Sequence, residues 1–396
     1  MSFLRTASTR RLLATGLGAL AAAVGGVAVA SGTGSGPVPP AKPLAAAVHD
    51  ALVAPTVNGV TARIDFKNNL IDSSSLNGGN PLLSGASGRL WMSGDRFRLE
   101  LQSSRGDAQV VSDGTTVSIY DASSNTVYRA ALPKSKDATA KAEGPPTLAA
   151  IEKKLTNLMQ HATVSSALPT DVAGQPAYTV RVGPKHDGGL LGSAELAWDA
   201  VHGVPLRAAV YAQGNASPVL ELKATKISFG AVPASRFDVN PPSGVKTVTL
   251  DTAGKTAGAG HGKAHGADVS GVAAVAKSVP FKLSAPATLV GLPRQEVRKL
   301  DFHGTPAAVV TYGKGLGGIA VIQQASDPKA AAESSTPKGK HEGQQLSLPT
   351  VSIAGVTGQE LDTALGTMVR FSRGGVDYTV IGSVPPAAAE AAARAI

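Results

Sequence analysis

The residue pattern changes period at Asn58, and that change constrains the fold more than any motif. From there Val60, Ala62, Ile64 and Phe66 alternate with Thr61, Arg63 and Asp65. Alternation of this kind puts every second side chain on one face of a strand. A slip of one residue would turn the whole apolar set to the other side, so the register is strongly specified. "RFRLELQ" repeats the pattern, with Phe97, Leu99 and Leu101 set against Arg96, Arg98 and Glu100. "GRLWMSGD" before it reads as another strand, with a turn at Gly94, and "QVVSDGTTVSIYD" and "NTVYRAAL" carry the meander on. Asp113-Gly114 is a hairpin signal, and Ala122 to Asn125 a second, longer turn. Strands joined by such short turns form an antiparallel sheet, which commonly has one buried and one wet face. Val117 and Ile119 share a face and Tyr120 lies on the other; the alternation leaves open which of these is concave.

Two helical stretches break the pattern. Pro43 to Ala54 spaces Leu44, Ala47, Val48, Ala51 and Leu52 as one helix face. Near Thr147–Gln160, Leu148, Ile151, Leu155, Leu158 and Met159 share a face, with Glu152, Lys153 and Lys154 off it. Strands resume at 177–183, 193–200, 205–214 and 220–230, and "AVPASRFDVNPPSGVK" closes the unit as Pro-rich coil. Residues 251–271, rich in Gly, Ala, Lys and His without periodicity, read as a flexible linker. A smaller α+β domain over 272–396 follows, with strands near 297–303, 306–312, 318–324, 365–372 and 376–382. It has a polar loop at 325–345 and a terminal helix opened by Pro at its first turn.

Composition narrows the function classes. The 396 residues include no cysteine, which removes disulfides, thiolate chemistry, Cys-ligated zinc and N-terminal lipoprotein acylation. Aromatics are 4%, so the core must be built from Val, Leu, Ile and Ala, and small residues on a concave face would leave room for a ligand. The net charge is +9, but Arg5, Arg10 and Arg11 belong to the N-terminal segment. No basic run is interleaved with aromatics, which argues against nucleic acid as a partner. Residues 1–31 carry a basic start, an apolar stretch over 12–30 and Ala28-Val29-Ala30 as a small-x-small cleavage site. They read as an export signal, with a retained membrane anchor through 12–30 as the alternative; Arg10-Arg11 weakly resembles a twin-arginine signal. Either way the rest of the chain is expected outside the cytoplasmic membrane, at the cell surface or in a periplasm-like space. Residues 32–43 read as a flexible tether.

The signals for chemistry are weak. Gly313-x-Gly315-x-x-Gly318 matches a dinucleotide-loop pattern, but "GIAVIQQ" after it is strand-like where a helix is needed, so a glycine-rich hairpin is the better reading. His261 and His265 sit among glycines, with no acid cluster to complete a metal site. Glu195 and Asp199 share a strand face about 13 Å apart, too far for paired catalytic carboxylates, and read as exposed strand charges. Neither a catalytic site nor a cofactor site is expected, and the reading is of a protein that is not an enzyme.

Four segments resemble a known superfamily. "VSDGTTVSIYDASSNTVYRA", "VAGQPAYTVRVGP", "LAWDAVHGVPLRAAVY" and "FDVNPPSGVK" look like successive pieces of LolA-like and MucB/RseB-type envelope proteins, in the right order over about 45–250. In the third piece His202 stands where Ser or Thr is usual. "GGVDYTVIGSVPPAAAEAAARAI" resembles the end of RseB-type regulators. The resemblance implies a mainly β fold over 44–250, a strongly curved antiparallel incomplete barrel with helices plugging its mouth. It also implies a cavity for a lipid, lipoprotein acyl chain or other hydrophobic ligand in a carrier or receptor; the other function of the superfamily is an envelope-stress regulator that binds an anti-sigma factor or another membrane protein. The expected lining draws on Val60, Ile64, Phe66, Phe97, Leu99, Leu101, Val117, Ile119, Tyr178, Val180, Leu196 and Trp198, with Leu148, Ile151, Leu155, Leu158 and Met159 as lid. The same apolar faces could instead form an ordinary packed core.

Overall fold

The computed structural model describes residues 36–71, 85–104, 106–122, 125–132, 145–185, 188–239, 243–250, 269–302, 305–326 and 348–396. The chain divides into two compact units. The first falls within Met1–Asn69, Gly78–Lys185 and Gly192–Ala257, the second within Leu70–Asn77, His186–Leu191 and Gly258–Ile396. The expected signal at 1–31 and most of the 251–271 linker and the 325–345 loop lie outside the described residues, as do His261 and His265.

The first unit opens with helix α1 (Leu44–Val53) and six strands: β1 (Val60–Asn68), β2 (Ala86–Ser93), β3 (Arg96–Ser103), β4 (Gly106–Ser112), β5 (Thr116–Asp121) and β6 (Thr126–Ala131). Helix α2 (Leu148–His161) interrupts, its first turn capped by the Thr147 hydroxyl accepting from the Ala150 N–H at 3.3 Å. Then come β7 (Ala162–Val164), β8 (Leu168–Val172), β9 (Gln175–Pro184), β10 (Leu191–Asp199), β11 (Pro205–Ala212), β12 (Pro218–Phe229) and β13 (Lys246–Leu250). They form one sheet in the order β13-β6-β5-β4-β3-β2-β1-β12-β11-β10-β9-β7, with β8 also on β9. β1 thus pairs with both β2 and β12, and the two meanders meet on it.

The expected Pro-rich coil after β12 holds a short 3-10 turn, Ala234–Phe237, followed by β13, which pairs parallel to β6. A parallel neighbour needs a crossover rather than a tight turn, and the segment carrying Val232 and Phe237 supplies one, seating both on Trp91. This alternation is short, "KTVTL", and Lys and Thr hide it.

The sheet curls into an incomplete barrel, and α1 and α2 close one end of it at β7, β9 and β10. One buried cluster joins Val60, Ala62 and Ile64 of β1 to Leu101 of β3, Ala177 of β9, Ala197 of β10 and Leu206 of β11. It contains no helical residue. Strands of one sheet bury one another's faces only where the sheet bends on itself, so this face is concave. Tyr178, Val180, Leu196 and Trp198 alternate with Glu195 and Ala197. Glu195 is linked through Arg207 and Glu221 to Lys67 on the Arg63 side of β1. The four large side chains therefore lie on the same face as Val60 and Ile64, where Ala47, Val48, Ala51 and Leu52 of α1 cover them. β10 is covered on both sides, and all but its first residue are buried. The β10–β11 turn presses on α1. Gly203 has φ +67°, and a Cβ there would run into the Ala51 carbonyl, so only glycine suits the position.

The chain is ordered ahead of α1. Pro39 is buried, and the Tyr178 hydroxyl donates to the Pro40 carbonyl at 2.6 Å. The expected tether, where described, is thus docked from residue 36 onward, because an aromatic on β9 supplies a donor that a solvated linker would lack.

The second unit has helix α3 (Val272–Ser278) and strands β14 (Thr288–Leu289), β15 (Leu292–Phe302), β16 (Thr305–Tyr312), β17 (Ile319–Ala325), β18 (Thr350–Ile353), β19 (Val356–Thr363), β20 (Gly366–Arg373) and β21 (Val376–Gly382). Helix α4 (Pro386–Ala395) ends the chain. The sheet order is β14-β15-β16-β17-β21-β20-β19-β18. Ala389, Ala392 and Ala393 of α4 and Val275 of α3 pack on one face of it, against Val310, Val321, Val369 and Val380. The glycines at 313–318 form the β16–β17 turn, with a 3-10 turn at Gly315–Gly317 and a strand after it, as the hairpin reading required. The β18–β19 hairpin and α3 had no sequence expectation.

Candidate apolar binding face

The strand registers carry apolar side chains straight across the first meander. Ala62 stands opposite Leu90, Leu90 opposite Leu99, Leu99 opposite Val110, Val110 opposite Ile119 and Ile119 opposite Tyr128. A second row runs Val60, Met92, Phe97, Ser112, Val117 and Ala130. Ile64, Gly88, Leu101 and Ala108 make a third, and Phe66 faces Ala86 beyond it. Directly opposite residues share a face, so these rows form one apolar surface continuous with the concave cluster.

Burial grades along the rows. Val60, Ala62, Ile64 and Leu101 are buried floor. Leu90, Met92, Phe97, Leu99, Val110, Ile119 and Tyr128 are only half-buried. Antiparallel neighbours stand about 5 Å apart, so the half-buried part spans roughly 20 Å across β2 to β6. No cation or carboxylate interrupts the first two rows.

The structure therefore divides the twelve expected lining residues. Val60, Ile64, Phe66, Phe97, Leu99, Leu101, Val117 and Ile119 fall on this one face, which also resolves the parity at 115–120. Tyr178, Val180, Leu196 and Trp198 are between 0% and 4% exposed and belong to the packed core under α1. They alternate like the others, but a helix covers them. Tyr178 and Trp198 stand opposite each other with ring centroids 6.2 Å apart, an aromatic contact inside that core.

The expected lid is divided as well. Among its residues Ile151 is buried, and Leu155 and Leu158 pack beside it against the Tyr178–Trp198 core. Leu148 and Met159 are 41% and 48% exposed. α2 lies on the Trp198 side of β9–β10, the side that the strand registers and the Glu195–Arg207–Glu221–Lys67 contacts make continuous with the face of Val60 and Ile64, and it covers the β9–β10 end of that face. Leu90, Met92, Val110 and Tyr128 were missed. Trp91, between Leu90 and Met92, points to the opposite face, under Val232 and Phe237.

Charged groups gather elsewhere. Glu195, expected exposed, is 8% exposed and bridges two guanidinium groups. Its Oε2 accepts from Arg181 Nη2 at 2.6 Å, and its Oε1 accepts from Arg207 Nη1. Arg207 also donates to Glu221 at 2.6 Å and to the Tyr211 hydroxyl at 2.8 Å. Burial alone would raise the Glu221 carboxyl. The hydrogen bond and charge of Arg207, with Lys67 adding to them, outweigh it and leave Glu221 below the ordinary range. Asp199 is fully buried, and its Oδ1 accepts from the Val201 and His202 N–H groups and contacts His202 Nδ1 at 2.8 Å. That is a turn-capping role, and it places His202 against Phe229 with centroids 4.1 Å apart. Glu195, Glu221 and the Oδ1 of Asp199 are engaged by structural partners, whereas the buried Oδ2 of Asp199 has no hydrogen-bond partner. Among the described residues no group of three or more His, Cys, Asp or Glu is placed to hold a metal, and no helix there is long and apolar enough to cross a membrane.

No family model matches the chain, and no curated protein matches it. Solved structures do. The chain is similar to the Pseudomonas aeruginosa MucA/MucB complex at 17% identity and a TM-score of 0.37, covering 88% of this chain and 94% of that one. A conserved protein from Thermus thermophilus aligns at 11% identity and a TM-score of 0.32, over 52% of this chain and 97% of its own. An outer membrane lipoprotein-sorting protein domain from Vibrio parahaemolyticus, so named in its structure's description, aligns at 11% identity and a TM-score of 0.15, over 43% and 85%. At these scores the likeness carries nothing about ligand or partner.

Proposed function

We propose that the protein is an exported, non-enzymatic binding protein that holds a hydrophobic ligand, a lipid or a lipoprotein acyl chain, on the concave face of its first unit. The observation that carries this reading is the in-register row Leu90, Leu99, Val110, Ile119 and Tyr128. It is apolar across five strands and half-exposed, whereas the floor beside it is buried. A contiguous apolar surface of that width is a binding feature in soluble proteins. Acyl chains need area and no hydrogen bonds, which matches rows that offer little but Val, Leu, Ile, Met and Phe. Carrier and receptor are both compatible with such a face. The test is native mass spectrometry of protein purified from its own envelope, followed by titration with a fluorescent fatty acid. Co-purifying lipid and saturable uptake are expected; an empty protein that takes up no probe would sink the reading.

A second reading, regulation through a membrane-protein partner such as an anti-sigma factor, rests on the second unit. On the sheet face opposite α3 and α4, Leu361 stands opposite Met368 and Met368 opposite Ile381, which is 44% exposed. Pull-down with the full chain carrying Ile381→Asp, compared with the unsubstituted chain, tests it. Recovery of the same membrane protein by both would count against this face.

A further inference from the structure

The outward faces of β12, β1 and β2 carry a charge pattern that packing does not explain. Arg63 on β1 stands directly opposite Lys226 on β12 and Arg89 on β2. All three are exposed. Lys223 and Lys67 follow on the same face, opposite Asp65 and Glu221. Like charges directly opposite across antiparallel strands destabilise the pair, and a wet sheet face ordinarily relieves this by alternating sign. Here the carboxylates nearby are engaged. Glu221 pairs with Arg207 and Lys67, Asp65 accepts from the Ser87 hydroxyl at 2.9 Å, and Glu100, which stands on β3 directly opposite Arg89, is paired with Arg98 instead. Among the described residues no carboxylate pairs with Arg63, Arg89 or Lys226. The three strands are interior to the sheet, so the cations are not there to block edge pairing. The row is extended by Arg236, whose guanidinium lies 5.6 Å from the centroid of the Trp91 ring on the same face.

We infer that this face docks on an anionic membrane surface, with Arg63, Arg89 and Lys226 as the row that meets lipid phosphates. A row of exposed cations on a broad sheet face presents several point charges at once to a plane of headgroups. A single-stranded nucleic acid would need free aromatic faces for stacking, and the one aromatic of this patch, Trp91, is 7% exposed under Arg236. Occupied by phosphates, the row would gain the counter-charge that its own strands withhold. The inference does not depend on the ligand reading, because the two use opposite faces of the same strands.

The test uses the full chain and vesicles of phosphatidylcholine, either alone or with a third of the lipid replaced by phosphatidylglycerol. Tighter binding to the anionic vesicles is expected, and it should weaken at about 0.5 M salt, where the screening length falls to a few ångströms. At roughly fivefold per cation, Arg63→Gln, Arg89→Gln and Lys226→Gln together should weaken binding to anionic vesicles about a hundredfold. The melting temperature should hold or rise, since a repulsive row has been removed. A control with the same change in net charge, Lys153→Gln, Lys154→Gln and Lys185→Gln, should bind almost as the unsubstituted chain does. Equal binding to both vesicle types, an unaffected triple variant, or a control that loses as much would each overturn the inference.

Discussion

β9–β10 and β2–β6 belong to one sheet and are written in the same alternating code, yet they end in opposite conditions. Along β9 and β10 the large side chains Tyr178, Val180, Leu196 and Trp198 meet a helix and are sealed. Along β2 to β6, Leu90, Leu99, Val110 and Ile119 meet the hollow of the curled sheet and stay half-exposed. Alternation reports which side chains share a face; it does not report what covers that face. In one region the apolar side chains hold the fold together, and in the other they are available to a ligand.

Substitution at Trp198 should break that comparison most sharply. Trp198→Ala removes a fully buried ring and should cost about 3–5 kcal/mol in denaturant unfolding, with little change in probe binding by the molecules that remain folded. If binding falls with stability unchanged, the assignment of the two regions is reversed. Next in size is Glu195→Gln, which leaves Arg181 and Arg207 without the carboxylate that bridges them. A loss of about 3 kcal/mol is expected from urea titration, and a loss near zero would show that the network is surface decoration.

Leu99→Ala and Ile119→Ala probe the other region. Each removes part of a half-buried side chain and should cost about 1 kcal/mol, yet the pair should lower fatty-acid probe affinity at least tenfold. Unchanged affinity in the pair would detach the face from ligand binding.

The smallest effect concerns pH and sets one unit against the other. Glu360 is raised above the ordinary carboxylate value by burial first, then by Glu390 and Asp362. A raised carboxyl contributes stability that is present below its unfolded value and is lost as pH rises through the folded one. Glu360→Gln should therefore raise the melting temperature of the second unit by about a degree or two at neutral pH and leave it unchanged in acid. Glu221 in the first unit is lowered, so its contribution is present above the unfolded value and is lost as pH falls through the folded one. Calorimetry from neutral to acid pH should show the Glu360 penalty in the second unit disappearing first, above the ordinary carboxylate value, and the first unit weakening only below that value. Parallel shifts of both transitions would contradict these two assignments.

Much of the fold was legible because its signals are local. The two helices, the Asp113-Gly114 hairpin and most strands follow from periods of 3.6 and 2 and from turn residues with a defined backbone preference. Eight of the expected lining residues share a face for the same reason, since parity within a hairpin follows once its turn is placed. What was misread depends on partners far away in sequence. Trp198 looks like lining until α1 lies on it, and Glu195 looks exposed until Arg181 and Arg207 reach it from neighbouring strands.

The sequence by itself determined that the chain is a cysteine-free, mainly β protein of two units, with apolar and charged residues sorted to opposite faces of its first meander. Those properties come from composition, period and turn chemistry, which act over a few residues. Only the tertiary structure decided which stretch of the apolar face is sealed and which is left half-open, and that Arg63, Arg89 and Lys226 stand side by side. These depend on sheet curvature, on a bulge between Arg63 and Ile64 that resets the register, and on where a helix docks. Each is a contact between segments distant in the chain, and no local pattern encodes it.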